Sequence, residues 1–109
     1  MKDAMYLYDL FDIYKGLLSP RQQEAFSLRY NDDLTLAEIA EILSVTRQGA
    51  HETISRVEDT LLKTEAKLGF LARETALRVQ LQELEWLTED GDRAAIRKKV
   101  AAILALMEE

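Results

Sequence analysis

The chain contains no cysteine, so disulfide bonds, thiolate metal sites and cysteine nucleophiles are excluded. This absence also fits a protein of the reducing cytoplasm. Only one proline and four glycines occur in 109 residues, and β-branched residues are sparse. Alanine, leucine, glutamate, lysine, arginine and glutamine dominate, and most of them favour helices. The composition therefore predicts an all-α protein.

Long apolar runs are also missing. A membrane-spanning helix needs about 20 consecutive apolar residues, and no stretch approaches that length. Three aspartates, at positions 3, 9 and 12, interrupt the apolar residues near the amino terminus, whereas a secretory signal has an uninterrupted apolar core. The sequence predicts neither a signal peptide nor an association with membranes.

Positive charge is scarce, with 14 basic residues against 20 acidic residues and a net charge of −6. The deficit is even: residues 1–34, 35–68 and 69–109 each carry a net charge of −2. Binding to nucleic-acid phosphates depends on local positive charge. Any such binding is therefore expected to be weak, or to use a small patch that dimerisation doubles.

Helical periodicity predicts an amino-terminal helix from about Asp3 to Leu17. One stripe of this helix consists of apolar residues three or four positions apart: Met5, Tyr8, Phe11, Tyr14 and Leu18. Leu7 and Leu10 widen the apolar face beyond what one small neighbouring helix would cover. A wide apolar face suggests contact with a partner.

Capping signals predict the next two helices. Ser19-Pro20 starts a helix that ends at about Tyr30, because serine caps free N–H groups and proline suits the first helical position. Thr35 and Glu38 form a capping box at the start of a short helix from Leu36 to Leu43.

A tight turn and a long helix follow. Ala40 is small enough for a close helix crossing, Ser44-Val45 form the turn, and Val45 is expected to fill the corner between the helices. Thr46 caps a helix that runs from about Arg47 to Lys67, with Gly69 as its stop. Two helices joined in this way predict a helix-turn-helix motif.

The carboxy-terminal part is predicted to form an antiparallel hairpin of two helices, at about Phe70–Leu87 and Arg93–Met107. Trp86 is expected in the core of this hairpin. The predicted organisation is a helix-turn-helix domain at residues 1–68 and a helical extension at residues 69–109, which serves packing or dimerisation.

The exposed start of the long helix carries the candidate DNA-binding residues. They are Thr46, Arg47, Gln48, His51, Ser55 and Arg56. Arginine suits guanine and glutamine suits adenine in the major groove, whereas threonine and arginine also reach phosphates. The alternative is that these residues form only the solvated face of an amphipathic helix, because acidic Glu52, Glu58 and Asp59 share the helix.

No catalytic arrangement is present in the sequence. It has no nucleophile with a matching base, no glycine-rich phosphate loop and no metal-ligand spacing, and its single histidine, His51, lacks companion ligands. The sequence predicts a protein that is not an enzyme and needs no cofactor or metal.

The segment LSPRQQEAFSLRYNDDLTLAEIAEILSVTRQGAHETISRVEDTL is similar to region 4 of bacterial sigma factors. The span from Tyr6 to about Leu68 resembles the YlxM family more closely, through Leu17-Leu18-Ser19, Gln22-Gln23, Tyr30, Asp32-Asp33, Leu36 to Glu41, Val45, Arg47-Gln48, Ile54, Arg56 and Glu58. Gly49-Ala50-His51 departs from the bulkier residues expected there.

The resemblance implies a sigma region 4-like helix-turn-helix protein, a homodimer, and an accessory or regulatory role near the signal recognition particle pathway. Three functions remain open, and the third, binding to the RNA of the particle, is disfavoured by the negative net charge. The protein binds DNA, or it is a protein-interaction module of the targeting machinery whose motif no longer binds DNA. The first predicts a basic patch at Arg47, Arg56 and Lys63, and the second predicts interleaved acids there and an exposed apolar surface elsewhere.

Overall fold

The computed structural model describes residues 3–108, which fold entirely into helices and connecting turns. The helices are α1 (Ala4–Tyr14), α2 (Pro20–Tyr30), α3 (Leu36–Leu43), α4 (Arg47–Leu68), α5 (Phe70–Leu87) and α6 (Arg93–Met107), with a 3-10 turn at Lys15–Leu17 after α1. The predicted all-α class is confirmed. The chain divides after Gly69 into two compact units, one with α1 to α4 and one with α5 and α6.

Side-chain caps set the helix boundaries in the way that the sequence predicts. Ser19 and Thr35 each take part in a capping box, with Gln22 and Glu38 respectively. Asp92 accepts hydrogen bonds from two backbone N–H groups at the start of α6. Gly69 ends α4 in the left-handed conformation, at φ 65°. A residue without a side chain adopts this conformation at little cost.

Phe26 lies at the centre of the first unit and is fully buried. Its ring stacks between Phe11, with centroids 4.3 Å apart, and Tyr30, with centroids 4.4 Å apart. Three aromatic rings from α1 and α2 thus form one column, and aromatic pairs in such geometry add to the free energy of burial. The column fixes α1 and α2 against each other.

The apolar stripe predicted on α1 is buried only in part. Leu7 and Leu10 are buried with Phe11 and Tyr14, whereas Met5 is 75% exposed and Tyr8 is exposed as well. Two apolar stripes share this helix, and periodicity alone does not tell which one packs inward. The exposed stripe leaves an apolar surface on the outside of α1.

Two glutamates of α4 are buried, which the sequence analysis did not predict. The Tyr14 hydroxyl donates to Glu65 Oε1 over 2.6 Å, and the Tyr30 hydroxyl donates to Glu58 Oε2. These bonds tie α1 and α2 to α4. Glu58, which was expected to repel phosphate, therefore lies on the core side of α4 and not on its outer face.

Replacement of Tyr30 by phenylalanine tests the bond to Glu58. Because the ring stays in place, the variant should lose about 1–2 kcal/mol of unfolding free energy at neutral pH, the usual contribution of such a bond. Urea denaturation measures this change. The exposed Tyr8→Phe variant is the control and should equal the parent; equal losses in both variants would contradict a specific role of the bond.

The stability difference between the parent and Tyr30→Phe should depend on pH. Burial, together with the hydrogen bond to Glu58, raises the pKa of Tyr30. The folded protein then keeps the phenol protonated while the unfolded chain ionises near pH 10. The stabilisation is complete below about pH 10 and declines as the pH rises towards the folded-state pKa. The unfolding free energy of the parent should therefore fall more steeply above pH 10 than that of Tyr30→Phe.

The second unit is a hairpin in which α5 and α6 pack together, with Ile103 as its most buried residue. The Lys99 ammonium joins the two helices through Glu83, at 2.5 Å, and Gln80, at 3.0 Å. Trp86 is 67% exposed, so its predicted core position is wrong. Two helices offer too few neighbours to enclose an indole ring near the end of the hairpin.

Candidate nucleic-acid interface

A left-handed residue makes the turn between α3 and α4. Ser44 has φ 57°, and its N–H group bonds to the carbonyls of Ala40 and Glu41. The N–H group of Val45 also bonds to the Ala40 carbonyl, over 2.9 Å. These bonds close the carboxyl end of α3 within two residues, so that α4 starts in a new direction.

Small residues allow α3 and α4 to cross closely. Ala40 and Ala50 are both buried, and Ile54 joins them in one cluster. Val45 does not fill this corner as predicted, because it is exposed and lies over Gly49. A Cβ at Gly49 would be 3.7 Å from the Val45 Cβ and 3.2 Å from Thr46 Oγ1. The absence of a side chain at Gly49 thus relieves crowding at the turn.

The start of α4 faces outward. Thr46 caps the helix, since its hydroxyl oxygen accepts from the Gly49 N–H group over 2.9 Å. Arg47, Gln48 and His51 are all exposed, and the first turn contains no acidic residue. The amino end of a helix carries partial positive charge, which adds to that of Arg47. This end of α4 can therefore present hydrogen-bond donors to an anionic partner.

Further along α4, the remaining candidates differ in exposure. Arg56 is exposed, and Ser55 is half-buried. Both lie within three turns of the helix start, so the six sequence-predicted residues occupy the amino-terminal half of one helix. Their contact with DNA stays a prediction.

Lys63 is not available to the basic patch expected at Arg47, Arg56 and Lys63. Lys63 pairs with Asp59 over 2.8 Å, and this contact raises the pKa of Lys63. Exposed Glu52 lies near Gln48, whose amide donates to it over 3.4 Å. Acids thus alternate with bases beyond the first turn of α4, whereas the first turn itself contains Arg47 and no acidic residue.

Arg21 is a residue of this region that the sequence analysis missed. Its guanidinium crosses from the first turn of α2 and donates to the carbonyl of Leu43, over 2.5 Å. This bond fixes α2 to the carboxyl end of α3, immediately before the turn. Arg21 is otherwise exposed, so it adds positive charge beside the start of α4. No local sequence pattern marks a contact across 22 residues.

Residues 3–108 contain neither a candidate metal site nor a candidate membrane span. Within this part of the chain, no group of three or more histidine, cysteine, aspartate or glutamate side chains could hold a metal ion. The described helices also include none that is both long enough and apolar enough to cross a bilayer.

Two helices joined by a left-handed tight turn, with an exposed and capped second helix, define a helix-turn-helix protein. The chain belongs to the family UPF0122, described as "Putative helix-turn-helix protein, YlxM / p13 like", whose sequence profile matches residues 1–103. The predicted membership is thereby confirmed.

Relatives of the chain carry the same family name. A UPF0122 protein of Symbiobacterium thermophilum is 41% identical over 105 residues, which is 96% of this chain and 98% of the relative. A UPF0122 protein of a Thermoanaerobacter species is 32% identical over 107 residues, covering 98% and 89%. One from Clostridium botulinum is 34% identical over 99 residues, covering 91% and 89%.

Proposed function

We propose that this protein binds DNA through the exposed start of α4 and acts as a non-catalytic regulatory or accessory factor in the cytoplasm. One observation carries the proposal: the turn before α4 leaves Arg47 and Gln48 exposed on a first turn that has no acidic residue, and His51 is exposed one turn further along. In this class of motif, the start of the second helix is the part that enters the major groove.

The side chains on this surface suit distinct contacts. Arg47 can donate two hydrogen bonds to guanine. Gln48 can form two hydrogen bonds with adenine once its bond to Glu52 is broken. His51 and Ser55 lie one and two turns further along the helix, towards neighbouring bases. Thr46 and Arg56 position the protein through phosphate contacts, and we add Arg21 to them because its guanidinium reaches the end of α3 before the turn.

Charge limits the strength of this binding. Acids interleave with bases beyond the first turn of α4, so each subunit offers few phosphate contacts. A homodimer doubles the number of contacts and places two recognition helices about 34 Å apart, one turn of the duplex. We therefore propose that a dimer is the form that binds DNA.

A fluorescence titration against genomic DNA fragments at several salt concentrations tests the proposal. Arg21 and Arg56 of two subunits make four phosphate contacts, which predict a slope of log affinity against log salt of about −3.6. A selected fragment should bind with that slope. The proposal would be contradicted if no fragment bound above the non-specific background. It would also be contradicted if the affinity did not depend on salt.

A second candidate function is protein interaction within the targeting machinery. The interleaved acids of α4 and the exposed Met5 and Tyr8 of α1 are the specific observations that favour it. The same titration should include purified signal recognition particle. This candidate would be favoured over the first if the parent bound the particle and no DNA, and if Arg47→Ala with Gln48→Ala bound the particle as tightly as the parent.

A further inference from the structure

A small cavity opens on the outer face of α1, beside the last residue of α2. It has a volume of about 200 Å³ and is lined by Ala4, Met5, Tyr8, Asp9 and Tyr30. Pockets that hold drug-sized ligands are larger, at about 300–1,000 Å³. The cavity therefore has room for one side chain and not for a larger ligand.

One wall of the cavity is held in place and the other is adaptable. The Tyr30 ring stacks on Phe26 with centroids 4.4 Å apart, and its hydroxyl donates to Glu58. Met5 and Tyr8 are exposed on α1, where their side chains can adjust to an occupant. A wall that is fixed before binding lowers the entropy cost of binding.

The charge of the cavity selects its occupant. Among the described residues that line it, Asp9 alone is charged, and Asp9 makes no ion pair with any residue from 3 to 108. Arg29 precedes Tyr30, but its guanidinium donates to the Leu34 carbonyl over 2.9 Å. An apolar occupant would take water from the Asp9 carboxylate without replacing it, which costs free energy. The cavity therefore favours a cation.

A second carboxylate extends this negative charge along α1. The helix contains Asp9 and Asp12 and no basic residue. The two aspartates are three residues apart, which is about 4.5 Å along a helix, so they share one side of α1. Asp12 has only a 3.9 Å contact with exposed Lys15. A basic segment that lies along this side would meet both carboxylates.

We propose that the cavity binds a lysine side chain of a partner polypeptide. The aliphatic stem of this lysine packs against Met5, Tyr8 and Tyr30, and its ammonium group pairs with Asp9. The faces of aromatic rings attract ammonium groups as well. Lysine suits a single carboxylate better than arginine does, because its charge is compact, whereas a guanidinium carries five donors in a rigid fork.

The partner segment carries a second basic residue that faces Asp12. The inference deepens the second candidate function, on which it rests for its biological role, because it states the chemistry of the partner. The start of α4 takes no part in this contact, so DNA binding and lysine binding can fail separately.

An NMR titration of the isotope-labelled full chain tests the inference. The probe is an acetylated and amidated peptide of alanine and glutamine with two lysines three positions apart. Saturable shifts should appear at the backbone signals of Met5, Tyr8, Asp9 and Tyr30. The same peptide with norleucine in place of both lysines keeps the aliphatic stems and lacks the charge, so it should bind about tenfold more weakly.

Two matched variants locate the ammonium group. Asp9→Asn should weaken binding of the lysine peptide by about fivefold, because it removes the paired carboxylate. Asp90→Asn changes the net charge by the same amount at an exposed position between α5 and α6, and should bind like the parent. Circular dichroism melting should show the parent's stability in both variants, because both positions are exposed.

Several results would overturn the inference. They are equal binding of the lysine and norleucine peptides, an Asp9→Asn variant that binds like the parent, and equal losses in Asp9→Asn and Asp90→Asn. Butylamine, which is the lysine side chain without its backbone, is the third probe. Binding of butylamine as tight as that of the peptide would assign the cavity to a free amine and overturn the assignment to a polypeptide.

The second candidate function can be judged apart from the site. If the parent bound the signal recognition particle but not the lysine peptide, the inference would be overturned and the candidate function would stand. If the lysine peptide bound as expected and the parent bound neither the particle nor DNA, the lysine site would be supported and both proposed functions contradicted.

Discussion

Phe26→Ala is expected to lower the free energy of unfolding by about 3–5 kcal/mol, the usual range when a buried phenylalanine is truncated. Phe26 is fully buried between Phe11 and Tyr30, so its loss removes both stacking contacts and leaves a cavity between α1 and α2. Small domains are stable by only about 5–15 kcal/mol. Much of the population should therefore unfold at moderate temperature.

Urea denaturation followed by circular dichroism measures this loss. The matched control is Tyr8→Ala, which removes an exposed ring from α1 and should change the unfolding free energy by less than about 0.5 kcal/mol. A Phe26→Ala protein as stable as the control would show that the aromatic column does not hold the first unit together.

The helix boundaries could be predicted from the sequence because each depends on a local signal. Ser19, Thr35 and Thr46 all cap the helices that they were predicted to cap. A cap needs only a side-chain oxygen and backbone N–H groups two or three residues away. Such contacts join residues that are close together in the chain, so the sequence alone specifies them.

The face that each helix buries was harder to predict, because it depends on distant residues. On α1, two apolar stripes compete, and the aromatic column with Phe26 decides in favour of Leu7, Leu10 and Phe11. The burial of Glu58 was not predicted, because glutamate is seldom buried without a partner. Tyr30, 28 residues away, satisfies it in the core.

The candidate site was predictable in outline and not in its electrostatics. The turn at Ser44 and the exposed start of α4 follow from local sequence. The pairing of Lys63 with Asp59 and the reach of Arg21 to the Leu43 carbonyl depend on side-chain conformation. Lys63 is therefore paired with an acid, although the sequence placed it in the basic patch.

DNA binding should depend on two adjacent side chains of that end. Arg47 and Gln48 are exposed and can each bond a base edge. Each such contact favours the correct base over a wrong one by about 1–3 kcal/mol. The variant with both Arg47→Ala and Gln48→Ala should therefore bind its specific DNA at least about 30-fold more weakly than the parent. Stability should not change, because neither side chain is buried.

A matched control separates base contact from general charge. Arg78→Ala with Gln82→Ala removes the same two side-chain types from exposed positions on α5. The control changes the net charge by the same amount and leaves α4 intact. Its DNA affinity should remain close to that of the parent.

The most direct test of the account is the affinity for one selected DNA fragment, measured side by side for the parent, Arg47→Ala with Gln48→Ala, and the α5 control. The account predicts a loss of at least about 30-fold for the α4 variant alone. Equal affinities of the α4 variant and the parent would contradict the claim that the exposed start of α4 binds DNA.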